Sequence, residues 1–206
     1  MNIMKAINKP SDNLLPYDGK VNDLGIVIDY PSALYYALLT TLPWQSDIVT
    51  LFGKTHVTTR QIVWMGDSAA SYQYSGHRRQ AIAWTDSVFH VKHHIEQQLA
   101  KIGINTHFNS CLLNYYPTGD DGMGYHADDE KELGNQPVIA SLSLGATRKF
   151  VLKHKKTQDK VELYLESGQL IVMHGETQKY WKHTVTKTKT VLEGRISLTF
   201  RQMILG

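Results

Sequence analysis

The chain has 206 residues, and 42% of them are hydrophobic, which is enough for one complete core. Its 22 basic and 19 acidic side chains give a net charge of +3, too small to identify a nucleic-acid-binding protein by charge alone. No apolar run approaches the roughly 18 residues of a membrane helix, and the first residues contain no hydrophobic signal core, so we expect a protein that neither crosses a membrane nor is secreted. The one cysteine, Cys111, cannot form an internal disulfide. This favours a reducing compartment, the cytoplasm of a bacterium or the nucleus of a eukaryote. We also expect that residues 1–206 form one domain and that the protein acts as a monomer.

Two amphipathic helices are predicted in the first half of the chain. Residues 31–43 begin with Pro and Ser and place leucines and alanines at helical intervals. Thr85 or Asp86 can cap a second helix, which is predicted to end at Gly103. The apolar face of this second helix comprises Val88, Val91, Ile95, Leu99 and Ile102.

Most of the rest of the chain is predicted to form short strands. Between the helices, residues 48–52 and 56–64 indicate hairpins, followed by a loop rich in Gly, Ser and Tyr. The chain is therefore predicted to have an α+β fold that is mainly β, with a β-rich half over about residues 105–203. The strands of that half are predicted at residues 107–116, 138–144, 149–154, 169–174 and 195–203.

The segment His126-Ala-Asp128 places an imidazole and a carboxylate two residues apart. In a strand, both side chains would project from the same face. A distant histidine would complete the set of two histidines and one carboxylate that holds ferrous iron and leaves coordination positions for a cosubstrate and O2. With 10 His and 12 Asp in the chain, roughly 0.6 such pairs are expected by chance, so the motif needs support from its context.

Two other pairs of histidine and acid compete with this one. His94-Ile-Glu96 lies in the predicted second helix, where side chains two residues apart diverge too far to share an ion. His174-Gly-Glu176 is not excluded by geometry, and it ranks lower because the strand that follows is not placed to form a cosubstrate pocket. The identity of the distant histidine ligand is undecided as well. His183, in Tyr-Trp-Lys-His-Thr, is also compatible with a histidine that packs or hydrogen-bonds beside the aromatic pair.

A polar strand face near the C-terminal end predicts an anion site. Guanidinium groups bind carboxylates by paired hydrogen bonds, so two arginines on one face suit a small dicarboxylate beside a metal. The competing interpretation is a solvated outer face. Asn114 and Tyr116, which share a face of another predicted strand shortly before His126, favour the anion site. The polar face carries Arg195, Ser197, Thr199 and Arg201.

With these motifs in this order, the chain resembles the AlkB family of Fe(II)- and 2-oxoglutarate-dependent dioxygenases. The resemblance runs from about residue 50 to Arg201. It implies a double-stranded β-helix, or jelly roll, with flanking N-terminal helices, and it implies Fe(II), 2-oxoglutarate and O2 as cofactor and cosubstrates. The motifs are Asn114-Tyr-Tyr116, His126-Ala-Asp128-Asp-Glu130, Ser141-Leu-Ser-Leu-Gly145, His183, and Arg195 to Arg201.

The resemblance also implies roles for single residues. Iron is expected on His126, Asp128 and His183. The family usually has Asn at the position of Ser197, and the shorter hydroxyl is expected to weaken or reshape that contact. Contacts to 2-oxoglutarate are expected from Asn114, Tyr116, Arg195, Ser197 and Arg201.

The likeness is closest to AlkB homologues that repair duplex DNA, whose nucleotide-recognition lid corresponds to about residues 45–80 here. Phe52 would wedge into the base stack, and Glu130 would accept a hydrogen bond from the exocyclic amine of a cationic, alkylated base. The competing interpretations are hairpin packing for the aromatic residues and a solvated turn for the acid. Further substrate contacts are expected from Arg60, Tyr72 and Tyr74, with Arg60, Arg148 and Lys155 contacting phosphates.

The function that the resemblance implies is oxidative dealkylation of N-alkylated DNA bases such as 1-methyladenine and 3-methylcytosine. The products would be the repaired base, succinate, CO2 and an aldehyde. One alternative keeps the same cofactors and acts on RNA or on a protein side chain. A nucleic-acid-binding module without catalysis is a further alternative, and the intact metal and arginine positions argue against it.

Overall fold

The computed structural model describes residues 12–51, 54–67, 71–74 and 77–204. Three α-helices, one 3-10 helix (Lys131–Leu133) and twelve strands are found in this part of the chain. The helices are α1 (Pro31–Thr41), α2 (Asp86–Lys101) and the short α3 (Thr177–Tyr180). The strands are β1 (Lys20–Ile26), β2 (Gln45–Leu51), β3 (Lys54–Gly66), β4 (Ser71–Tyr74), β5 (His77–Gln80), β6 (Ser110–Tyr116), β7 (Ile139–Gly145), β8 (Arg148–His154), β9 (Lys160–Leu165), β10 (Gln169–His174), β11 (Trp181–Val185) and β12 (Arg195–Arg201).

The strands form a large and a small antiparallel sheet that face each other. The large sheet has seven strands in the order β1-β10-β7-β12-β6-β3-β2, and the small sheet has the order β11-β8-β9. Strands β4 and β5 pair separately as a hairpin. Helices α1 and α2 cover the outer face of the large sheet, where Leu38 and Ile95 pack in the same buried cluster as Ile196. This arrangement is the predicted jelly roll with flanking helices.

Strand β12 shows how the sequence orients the site. Its apolar positions, Ile196, Leu198 and Phe200, are fully buried against the helices. Burial of such side chains contributes roughly 1.5 to 3 kcal/mol each. A slip of one residue would turn these three side chains into the polar space between the sheets and drive Arg195 and Arg201 into the helix-side core, so the register is strongly fixed. The polar positions therefore face the space between the two sheets, as the alternation predicted.

The space between the sheets holds a second apolar cluster. Tyr116 and Ile171 enter it from the large sheet, and Phe150 and Leu152 enter it from the small sheet. These side chains surround the polar residues of the predicted site on the side away from the helices. The site thus lies inside the jelly roll rather than on its surface.

Several elements differ from the prediction. Helix α1 ends at Thr41, two residues before the predicted end, because Leu42 is already extended and precedes Pro43. Strands β1, β9 and β11 were not predicted, since their many charged and polar residues resemble loop sequence. Strands β1 and β11 are held by pairing with distant strands, β10 and β8, whereas β9 forms a hairpin with the preceding β8. Within the described ranges, no helix combines the length and apolarity needed to span a membrane.

Candidate metal centre and cosubstrate pocket

His126, Asp128 and His183 come together inside the jelly roll, with their possible ligand atoms within 4.8 Å of one another. The expectation that a strand presents His126 and Asp128 is wrong, because residues 127–128 are not in a strand. Instead, His126 forms an isolated bridge with His183 of β11, through backbone hydrogen bonds of 3.1 and 2.8 Å. This distant pairing brings the two imidazoles to a centroid distance of 4.3 Å.

The protonation states of the three side chains suit metal binding. Burial raises the pKa of Asp128, but the charge of Arg201 and the nearby imidazoles outweigh it and lower the value to about 2. Burial, together with His126, lowers the pKa of His183 to about 3. His126 Nδ1 lies 2.9 Å from the carbonyl oxygen of Gly124, which assigns the proton to Nδ1 and leaves Nε2 as the ligand. The site therefore offers the ionised carboxylate of Asp128, the neutral imidazole of His183 and Nε2 of His126 to a metal ion.

Asp128 is held from two sides. Arg201 Nη2 donates to Asp128 Oδ1 at 2.5 Å, and the backbone N–H of Asp128 donates to Oε1 of the buried Gln178 at 2.9 Å. Asp128 Oδ2 is buried and has no hydrogen-bond partner among the described residues. It lies 3.6 Å from His183 Nε2. A buried carboxylate oxygen without a partner is costly, and a bound metal ion would satisfy it.

The two competing pairs do not form such a site. His94 is on α2 and its Nε2 lies 2.8 Å from the carbonyl oxygen of Val27. His174 Nε2 lies 2.8 Å from Asn22 Oδ1, while Glu176 pairs with Lys179 on the surface. Both histidines are hydrogen-bonded to groups other than the acid of their own pair.

A cavity beside the metal ligands contains the predicted anion site. Arg195 is 1% exposed, its Nη2 donates to Ser143 Oγ at 2.8 Å, and its guanidinium carbon lies 5.5 Å from the centre of the Tyr116 ring. Burial lowers the pKa of Arg195 to about 10. Among the described residues, Arg195 Nε and Nη1 have no hydrogen-bond partner. A buried guanidinium with open donors fits the distal carboxylate of a dicarboxylate such as 2-oxoglutarate.

The other predicted cosubstrate residues lie around the same cavity. Ser197 is buried and pairs in register with Asn114 on β6 and with Ser143 on β7. Arg201 lines the cavity, but its described hydrogen bond is to Asp128, so its contact with 2-oxoglutarate stays a prediction. The lining includes Asn114, Tyr116, Ser141, Arg195, Ser197, Thr199 and Arg201, together with the three metal ligands.

Comparison with known proteins agrees with this geometry. The family model of the 2OG-Fe(II) oxygenase superfamily matches residues 32–201. The chain belongs to this family. Its cofactor and cosubstrates are Fe(II), 2-oxoglutarate and O2, and the side chains at the metal centre fit that set. His126, Asp128 and His183 would hold the iron.

Several curated proteins are similar to this oxygenase. The DNA oxidative demethylase ALKBH2 of Homo sapiens is 34% identical over 165 residues, which cover 76% of this chain and 61% of the relative. ALKBH2 of Arabidopsis thaliana is 34% identical over 187 residues, covering 79% of this chain and 59% of the relative. The alkB homolog 3 dioxygenase of Rattus norvegicus is 33% identical over 174 residues, covering 80% and 57%. The chain thus spans about three fifths of the length of these relatives.

A solved structure supports the fold. The structure of OsALKBH1 superposes with a TM-score of 0.64 at 17% identity, covering 91% of this chain and 98% of that one. At this identity the comparison shows the jelly-roll fold alone.

A second cavity adjoins the metal ligands and shares His126, Asp128 and Arg201 with the first. Glu130 lines the second cavity, and one of its carboxylate oxygens, Oε2, is buried without a hydrogen-bond partner among the described residues. The apolar walls of this cavity were not predicted from the sequence, because Trp64, Leu133 and Met203 come from segments that are distant in the chain. The full lining is Arg60, Trp64, Ser110, Leu112, Met123, His126, Asp128, Glu130, Leu133, Arg201 and Met203.

The structure places two of the predicted phosphate contacts, Arg60 and Arg148, inside the protein. Arg60 is buried, pairs with Asp47 and donates to Asn114 Oδ1 at 2.6 Å. Arg148 is also buried and donates to four backbone carbonyl groups, those of Thr118, Gly119, Asp121 and Thr186. Both side chains are thereby hydrogen-bonded inside the protein, so their contacts with phosphates stay predictions.

The remaining predicted substrate contacts are only partly covered by the structure. Lys155 is half-buried, and its Nζ lies 2.8 Å from the carbonyl oxygen of Gln178 and 3.4 Å from Asp129 Oδ2. Phe52 lies outside the described residues. The backbone of Tyr72 and Tyr74 belongs to β4, while their side chains lie outside the described part.

Proposed function

We propose that this oxygenase repairs DNA by removing alkyl groups from alkylated bases such as 1-methyladenine and 3-methylcytosine. The observation that carries the proposal is the carboxylate oxygen Oε2 of Glu130, which is buried without a partner among the described residues, in a mainly apolar cavity that two metal ligands also line. The ALKBH2 relatives are DNA oxidative demethylases, which points in the same direction.

The chemistry of the damaged base matches the cavity. Methylation at N1 of adenine or N3 of cytosine leaves a cationic ring whose exocyclic amine can donate to Glu130. The indole of Trp64 and the side chain of Leu133 provide apolar walls for the ring. When bound, Fe(II) and 2-oxoglutarate supply with O2 the oxidant that hydroxylates the N-alkyl carbon. The hydroxylated group then leaves as an aldehyde, without a protein nucleophile.

A basic surface next to the metal centre supports a nucleic-acid partner. Lys153, Lys160 and Lys182 pair in register across the small sheet, so their side chains share its outer face. None of the three forms an ion pair with another described residue. Lys153 Nζ lies 5.6 Å from the ring centre of Tyr125, which precedes the metal ligand His126. Like charges in register repel one another, and a phosphate backbone would neutralise them.

The proposal includes a nucleotide-recognition lid that contacts the flipped base. Phe52 would fill the space that a flipped base leaves, and Tyr72 and Tyr74 would contact that base. Because the base must leave the stack to reach the inner cavity, a lid over about residues 45–80 fits the proposal. We also propose a monomer that acts where the cell keeps its DNA, in the bacterial cytoplasm or the eukaryotic nucleus.

Replacing Glu130 with Gln tests the role of the carboxylate. The change removes the charge but keeps the shape, so we expect kcat/KM for 1-methyladenine in DNA to fall about 10- to 100-fold, the value of one charged hydrogen bond. Repair of the neutral lesion 1,N6-ethenoadenine should fall less. Both rates are measured by mass spectrometry of lesion-containing oligonucleotides.

The matched control is Glu132→Gln, because Glu132 is exposed on the same turn. Equal losses in the two variants, or an unchanged rate for Glu130→Gln, would show that Glu130 does not recognise the base.

A further inference from the structure

A buried polar chain crosses three neighbouring strands of the large sheet, β2, β3 and β6. Arg60 is at its centre, pairing through Nη2 with Asp47 and donating through Nη1 to Asn114 Oδ1 at 2.6 Å. Asp47, Arg60 and Asn114 are 1%, 6% and 4% exposed, respectively. Arg60 Nη1 also lies 3.6 Å from Met123 Sδ.

The contact with Arg60 fixes which end of the Asn114 amide faces Arg60. A guanidinium can only donate hydrogen bonds, so the amide of Asn114 must present its oxygen to Arg60. The opposite orientation would place two N–H donors against each other. The Nδ2 group is then the end that remains for an acceptor in the cosubstrate cavity, which Asn114 lines. An N–H donor at that place suits an anionic cosubstrate, whereas a carbonyl oxygen would repel it.

We infer that Arg60 is a positioning residue for 2-oxoglutarate, acting through the orientation of the Asn114 amide. Asp47 stabilises the buried position of Arg60, because its carboxylate neutralises the charge of the guanidinium in the protein interior. Arg60 lines the cavity for the base, while Asn114 lines the cavity for the cosubstrate, so the contact lies in the wall between the two. The inference rests on the proposed assignment of Asn114 to 2-oxoglutarate, and it does not depend on which substrate is oxidised.

Calorimetric titration of 2-oxoglutarate into the Mn(II)-loaded protein, without nucleic acid, tests the inference. Arg60→Met should raise the dissociation constant about tenfold, the effect of one lost buried hydrogen bond. The double variant Arg60→Met with Asn114→Ala should bind no more weakly than Asn114→Ala alone, because Arg60 acts through Asn114. Asp47→Asn keeps the bond between Arg60 and Asn114, so it should lower the melting temperature with a smaller effect on the dissociation constant.

The outcomes separate the inference from its alternatives. Additive losses in the double variant would overturn it, since Arg60 would then act independently of Asn114. An unchanged affinity for 2-oxoglutarate in Arg60→Met, with weaker and less salt-dependent oligonucleotide binding, would overturn it in favour of a phosphate contact. If Asn114→Ala binds 2-oxoglutarate normally, the assignment of Asn114 fails and the inference fails with it. Arg60→Gln, which keeps a donor of shorter reach, replaces Arg60→Met if that variant does not fold. Failure of DNA repair alone would leave all these binding results unaffected, so it would be recognised as a failure of the proposed function.

Discussion

Replacing Asp128 with Ala should reduce succinate release at least about 100-fold, since loss of a ligand should exceed the 10- to 100-fold effect of changing an outer partner of a metal site. Asp128 is buried between two imidazoles and carries the one carboxylate of the described metal group. Without it, the two histidines remain, and their imidazoles cannot balance the charge of a divalent ion. Release is measured as succinate formed from 2-oxoglutarate in the presence of Fe(II).

The adjacent Asp129 provides the control. Its side chain is 61% exposed and contacts Lys155 at 3.4 Å, so Asp129→Ala should keep normal release. Metal affinity is measured in parallel by titration with Co(II), because Asp128→Ala also deprives Arg201 of its hydrogen bond. Undiminished succinate release by Asp128→Ala would remove Asp128 from the ligand set.

Replacing Arg195 with Met should weaken binding of 2-oxoglutarate about 100- to 10000-fold. Two charged hydrogen bonds to a carboxylate are worth about 3 to 6 kcal/mol together, and the open Nε and Nη1 donors of Arg195 are placed to form them. The unfolding free energy without 2-oxoglutarate should stay equal or rise, because the variant removes a buried cation of which two donors, Nε and Nη1, have no partner among the described residues. Calorimetric titration of the Mn(II)-loaded protein gives the affinity, and urea unfolding gives the stability.

Ser143→Ala is the matched control for this experiment. It removes the Ser143 hydroxyl that accepts from Arg195 Nη2 and leaves the guanidinium in place, so it should change affinity far less than Arg195→Met. A variant Arg195→Met that binds 2-oxoglutarate normally but unfolds more easily would assign Arg195 to the core instead.

The parts of the site that follow from local periodicity were predictable. The alternation in β12 put Arg195 and Ser197 on the face opposite Ile196, and the burial of Ile196 against the helices confirms it. The capping residue and the apolar stripe of α2 likewise predicted its range to within two residues. In both cases, the information lies within a few residues of the element it determines.

Other features depend on partners far away in the sequence. His126 and Asp128 converge on the metal site because His126 pairs with His183, a contact that no strand period can show. Arg60 and Arg148 were expected at the surface, because an isolated arginine in a sequence usually lies there in contact with solvent. Their burial depends on Asp47, Asn114 and a set of carbonyl oxygens that only the folded chain brings together.

The most direct test of the central claim is repair of 1-methyladenine by the purified protein. Single- and double-stranded oligonucleotides with one lesion are incubated with Fe(II), 2-oxoglutarate and ascorbate, and the base is analysed by mass spectrometry. We predict conversion to adenine with one succinate per lesion, and Phe52→Ala should reduce repair of the duplex more than of the single strand. Absence of repair in both DNA forms, beside normal binding of 2-oxoglutarate, would contradict the claim and direct the search to RNA or protein substrates.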